Sequence, residues 1–132
     1  MSIAQLIRSF SAQPALLPYL TPIQTYNNPI AYSTSANDQF GYSVSVDGNY
    51  AVVGAYAEGD AGSYYSGKAY IFDVTTGSLL HTLHNPNAYG TSANDNFGTS
   101  VAISGNRVVV GAHGEDDAGG TNSGKAYVYQ IS

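Results

Sequence analysis

SANDQFGYSVSVDGNYAVVGA, residues Ser35–Ala55, is written again further along the chain as SANDNFGTSVAISGNRVVVGA, residues Ser92–Ala112. Working outward from this pair, Ile23–Thr75 aligns with Leu80–Ser132 without a gap, and 29 of the 53 positions are identical. A fixed period of this length is the mark of a repeat architecture, in which each unit buries its faces against its neighbours.

Turn chemistry divides each copy into strands. Tyr42–Val46 and Thr99–Ile103 are rich in β-formers and read as a first strand, A. Asp47-Gly48-Asn49 and Ser104-Gly105-Asn106 then supply Gly and Asn where a tight hairpin needs a left-handed backbone. Tyr50–Ala55 and Arg107–Ala112 follow as strand B, nearly continuously apolar in the second copy and so expected to be buried on both faces. Lys68–Val74 and Lys125–Ile131 read as strand C, and Leu79–His84 as strand D after the turn Thr75-Thr76-Gly77-Ser78. The expected class is all-β, with four antiparallel strands per repeat. A–B and C–D turns are short and fall on one face. The B–C loops (56–66, 113–123) and D–A loops (28–39, 85–96) are long and share the other.

Phe40-Gly41 with Val53-Gly54-Ala55, and Phe97-Gly98 with Val110-Gly111-Ala112, resemble the FG-GAP repeat, which forms the blades of the β-propeller at the head of integrin α-subunits. The resemblance covers both copies and the segment leading into the first, and implies that each four-stranded unit is one blade. Integrin-type blades often carry an Asp-rich calcium loop between strands A and B. Here Asp47-Gly48-Asn49 and Ser104-Gly105-Asn106 are too short and too poor in carboxylates, so that function does not carry over.

Strand order then sets the expected architecture. The second copy stops after strand C, whereas Leu20–Asn27 aligns with Gly77–His84 and reads as a leading D strand, its register set by Asn28-Pro29 and Asn85-Pro86. Two blades cannot close a propeller, and an open pair would expose two sheet faces and an edge. The expectation is strand exchange between copies of the chain, head to tail: a trimer gives six blades, a tetramer eight and a dimer four, with the trimer favoured because six is a common blade number. Leu20, Ile23 and Tyr26 would meet Tyr127 and Tyr129 of a neighbour at this interface.

Residues 1–18 are expected to form a separate arm, ahead of blades spanning 19–132. Ile3, Leu6, Ile7 and Phe10 fall on one face of a short helix that Pro14 stops, with Pro18 and Pro22 keeping the chain extended beyond it. Such a helix is marginal alone in water, so its apolar stripe is expected to dock, on its own propeller or on another structural protein. It lacks the basic face of a membrane-binding helix, and no run of apolar residues reaches signal-peptide or membrane-spanning length.

The net charge of −5, from nine acidic and four basic side chains, argues against nucleic acid as a partner. With no cysteine there is no disulfide and no zinc-thiolate site. Carboxylates gather in the B–C loops: Glu58 and Asp60 in the first copy, Glu115, Asp116 and Asp117 in the second. Such a loop can offer oxygens to Ca²⁺, but the spacing matches no metal motif, and a solvated acidic loop is the plainer reading. Asp38 and Asp95 are expected to fix the loop before strand A by accepting backbone N–H bonds. Lys68 and Lys125 are expected in surface or interface ion pairs rather than as catalytic amines. His113 near Glu115 suggests a metal or acid–base pair, but the first copy has Tyr56 in its place and offers no partner histidine. No nucleophile or phosphate-binding motif is present, so no enzyme activity and no obligatory cofactor are expected. Tyr64 and Tyr65 replace Thr121 and Asn122 on the long-loop face. With Tyr56 and His113 they either form an adaptable surface for protein or glycan, or pack against a neighbouring blade. Two functions fit this pattern. One is a structural virion protein of the tail-fibre, tail-tip or capsid-decoration kind, placed at the virion surface. The other is a secreted or cell-surface adhesin or lectin propeller.

Overall fold

The computed structural model describes residues 20–30, 36–59, 64–87, 92–117 and 119–132. The N-terminal helix expected over Ile3–Phe10 lies outside these residues. Within them, seven strands form two antiparallel sheets. The first sheet holds β1 (Ser43–Asp47), β2 (Tyr50–Ala55), β3 (Lys68–Asp73) and β4 (Leu79–His84), paired in chain order. The second holds β5 (Phe97–Ser104), β6 (Arg107–Ala112) and β7 (Lys125–Gln130), likewise in chain order. Among the described residues there is no helix.

The turns that divide the sequence also close the sheets. Asp47↔Tyr50 and Ser104↔Arg107 end their hairpins around Gly48 and Gly105, whose φ angles of 55° and 58° favour glycine. The β3–β4 turn is organised by Asp73: its carboxylate accepts the backbone N–H of Thr75 at 2.7 Å and of Thr76 at 2.8 Å. These bonds, that from Thr76 foremost, hold the Asp73 carboxyl below the ordinary carboxylate range. Asn49 of the neighbouring hairpin donates to Asp73 at 3.0 Å, so the two short turns lie together on one face, as expected.

Each sheet alternates its side chains between two faces, and the faces are treated unequally. Val52, Ala69 and Ile71 leave one side of the first sheet and join Phe97, Val108, Val110 and Ala112 of the second in the main core. Leu83 of β4 packs against the same cluster. The opposite side of the first sheet, with Val53, Ala55, Tyr70 and Phe72, forms a smaller cluster with Phe40 and Tyr26. Two consecutive blades thus pack face on face, as the repeat requires.

Two expectations need correction. Strand β6, the copy of strand B expected to be buried on both faces, is not: its pattern alternates, with Val109 exposed, whereas Val52–Ala55 of β2 are buried throughout. The reason is position. The first sheet is sandwiched by the second and by the Tyr26 segment, while the second has a described neighbour on one side only. Leu20–Asn27, in turn, forms no strand, because within the described residues no strand C lies beside it. Leu20 and Ile23 are accordingly exposed, Leu20 at 96%.

Candidate functional site at the long-loop face

The loops at this face are held by two constellations that recur in both copies. In the first, Asn28 Nδ2 donates to Asp38 Oδ2 at 2.9 Å, and Asn85 Nδ2 donates to Asp95 Oδ2 at the same distance. The Oδ1 of each asparagine accepts a backbone N–H two residues on, from Ile30 and from Asn87, both at 2.9 Å. The Asx turn therefore sits at Asn28 and Asn85. The sequence suggests backbone N–H groups as the partners of Asp38 and Asp95; instead these carboxylates take side-chain amides and clasp the D–A loop.

The second constellation joins loop to strand. Glu58 is 2% exposed, with Lys68 Nζ 2.9 Å from Oε1 and the Tyr70 hydroxyl donating to both oxygens at 2.8 and 2.7 Å. Glu115, fully buried, repeats it: Lys125 Nζ lies 2.8 Å from Oε1, and the Tyr127 hydroxyl donates to Oε2 at 2.6 Å. Lys and Tyr stand two apart on one strand, so both side chains leave the same face and can share one carboxylate. Burial, followed by the bond to Glu115, pushes the Tyr127 phenol well above its ordinary value. The Lys125 ammonium is likewise held above its ordinary value, first by its bond to Glu115, which opposes what a nucleophilic amine needs.

These contacts correct the reading of the B–C loops as solvated and acidic. Glu58 and Glu115 are interior anchors, and Lys68 is a buried partner rather than a surface one. Asp116 and Asp117 are exposed and shape the loop, accepting backbone N–H bonds from Asn122 and Gly119 at 2.6 Å each. Asp60 lies outside the described residues. Among the described residues no three acidic or histidine side chains cluster as a metal site. With both Glu carboxylates committed to Lys and Tyr, EDTA is expected to leave the melting temperature unchanged. A fall of ten degrees in a thermal melt would reveal a structural ion.

A backbone seam crosses from blade to blade. Asn94 N–H donates to Tyr64 O at 2.7 Å, Asn96 N–H to Tyr65 O at 2.9 Å, and Phe97 N–H to Ser66 O at 3.0 Å. The B–C loop of the first blade thus rests on the D–A loop of the second. Glycine permits the approach: a Cβ on Gly54 would meet Gly98 O at 2.0 Å, and one on Gly98 would meet Lys68 O at 2.3 Å. The Gly of the Phe-Gly pair in one blade packs against the Gly-Ala strand of the blade before it.

Other expected site residues scatter. Tyr64 projects from the loop, 78% exposed, beside a groove of about 410 Å³ lined by Asn37, Asp38, Ala57, Gly59, Tyr64 and Tyr65. Tyr56 is turned away to stack edge-on with Tyr42, ring centroids 4.5 Å apart, and His113 stands exposed without joining Glu115. Of the expected interface set, Tyr127 and Tyr129 are half-buried within the chain against Phe97, and Tyr26 stacks on Phe72 at 4.3 Å. Sequence reasoning missed the Glu–Lys–Tyr set, although a signal exists: both copies place Lys ten and Tyr twelve positions after Glu.

A family profile described as FG-GAP repeat matches residues 30–72 and 87–129. Among solved structures, the chain is similar to the crystal structure of the computationally designed Ika4 protein, at 17% identity and a TM-score of 0.49. The match covers 86% of this chain and 49% of that one, so this chain spans about half its length. No curated protein matches.

Proposed function

The chain belongs to the FG-GAP repeat family, and from that premise we propose that it is a non-enzymatic structural subunit. Copies exchange strands into a six-bladed, trimeric propeller ring and present the long-loop face at a virion surface, as a tail-fibre, tail-tip or capsid-decoration protein. One observation carries the reading. Residues 24–28 lie against the first blade as strand D of a preceding blade would. Asn28–Asp38 repeats the Asn85–Asp95 bond that follows β4, and Tyr26 packs with Phe40 on the cluster of Tyr70 and Phe72, as its counterpart Leu83 packs with Tyr127 and Tyr129 on the cluster that holds Phe97. Within the described residues, the strand C that this segment needs is missing, and β7 is a strand C paired on one side only. A single exchange between copies fills both positions.

Among the described residues, the recurring Asp38 and Asp95, and the Glu–Lys–Tyr sets of Glu58 and Glu115, support a structural role, since they hold loops. Two blades reused around a ring let a short sequence build a rigid surface element many times over. Residues 1–12 would join the ring to another structural protein. Light scattering is expected to give three times the 13.8 kDa of one chain. A monodisperse single chain at every concentration would sink the ring.

The open groove beside Tyr64 favours a second reading, a surface or secreted adhesin or lectin, because an exposed aromatic next to Asn and Asp suits a sugar. A glycan array on the assembled protein separates the two. Selective binding lost in Tyr64→Ala moves the function to the lectin; silence across the array leaves the scaffold.

A further inference from the structure

The outer faces of the two blades are unequal to their inner ones in a specific way. In the second sheet, Val101, Ile103 and Val108 pack against the first sheet. Their repeat counterparts Val44, Val46 and Ala51 line an apolar hollow of about 260 Å³, with Val44 66% exposed. In the first sheet, Ala69 and Ile71 are buried against the second. Their counterparts Ala126 and Val128 are exposed, Val128 at 67%, and Ala126 lines a hollow of about 140 Å³ with Ala102 and Val109.

We infer that these two open faces are each other's partners: the Ala102–Val109–Val128 face of one copy packs on the Val44–Val46 face of the next. This deepens the ring reading and rests on it, adding a face-to-face contact to the exchanged strand. The junction inside the chain is its template. There, Ser43 Oγ donates to Gly98 O at 2.7 Å, and Asp47 Oδ2 accepts the N–H of Gly105 at 2.6 Å. Moving each residue by one repeat, Ser100 would donate to Gly41 O and Ser104 would accept from Gly48 of the next copy. The glycines agree. Gly54 is pressed by Gly98, but its counterpart Gly111 meets only atoms of Ser100 in its own blade, and a Cβ on Gly41 would meet nothing. The seam agrees as well. The N–H groups of Asn37, Gln39 and Phe40 and the carbonyls of Thr121, Asn122 and Ser123 match the donors and acceptors of the internal seam. None of them bonds to another described residue. A second copy carries every missing complement at once, which an unrelated partner would have to match group by group.

The chain has no cysteine, so an introduced pair reports this contact alone. Inside the chain, Ile103 N–H donates to Ser45 Oγ at 3.2 Å; one repeat on, this pair becomes Ala102 of one copy and Val46 of the next. Oxidised Ala102→Cys/Val46→Cys protein is expected to give disulfide-linked species up to three chains on a non-reducing gel. Ser45→Cys/Ile103→Cys should link only within one chain. Gly111→Ala, whose Cβ meets only the rotatable Ser100 side chain and the more distant Ser100 carbonyl in the free chain, should keep the fold by circular dichroism and lose the three-chain species. If Ala102→Cys/Val46→Cys assembles at the trimer mass yet never cross-links, the face pairing is wrong and the strand exchange stands. If the unmodified protein is a single chain throughout, the ring falls and the inference with it. A ladder ending at two or four chains upholds the face pairing and overturns the trimer.

Discussion

Glu58→Ala is expected to lower the melting temperature by roughly 10 °C or more, on the scale of about 2–8 °C per kcal/mol lost. The substitution removes the carboxylate that receives the Lys68 ammonium at 2.9 Å and both hydrogen bonds of the Tyr70 hydroxyl. The side chains of Lys68 and Glu58 are 10% and 3% exposed, so water cannot readily replace what is lost. Breaking a buried pair by removing one partner costs about 3–5 kcal/mol, against a total stability of about 5–15 kcal/mol for a domain. The loss is large on that scale. Glu58→Gln keeps an acceptor oxygen and should fall between the two. Glu115→Ala is expected to cost less in the dissociated chain, because the Lys125 side chain is 41% exposed and already partly screened. A Glu58→Ala protein that melts within two or three degrees of the parent would show that the Glu–Lys–Tyr set does not hold the blade.

Removing residues 1–28 should abolish the ring, whereas removing residues 1–12 should leave it intact and cost only attachment to a larger particle. The longer deletion takes away Leu20, Ile23 and Tyr26 together with the backbone that would pair with β7. Burial of such side chains is worth about 1.5–3 kcal/mol each, and every junction of the ring would lose them. It also removes contacts inside the chain, the Tyr26–Phe72 stack and the Asn28–Asp38 bond, so a failure to fold could be mistaken for a failure to assemble. Deleting only residues 1–23 separates the two. Gln24, Tyr26 and Asn28 stay in place on the first blade, and the shortened strand should yield a folded chain with weakened assembly. Equal assembly of all three truncations by light scattering would show that the leading segment is not the exchanged strand.

How far the sequence alone reaches follows from what is local. Turn residues, strand lengths and the repeat register depend on the backbone preferences of neighbours, and Tyr50–Ala55, Leu79–His84 and Arg107–Ala112 appear where the Gly and Asn signals place them. The repeat also matches Leu20–Asn27 to Gly77–His84 without coordinates, because two copies of one text can be aligned position by position. Burial cannot be read in this way. YAVVGA and RVVVGA share Val-Val-Gly-Ala, yet only the first is buried along those four residues, since burial depends on which blade lies beside the strand. The roles of Glu58 and Glu115 are hidden for the same reason. A carboxylate in a Gly-rich loop looks solvated until the fold brings a lysine and a tyrosine from the next strand onto it. Only the tertiary structure decided that these charges belong to the interior, because pairing at 2.9 Å between residues ten apart is set by how a loop folds back over a strand.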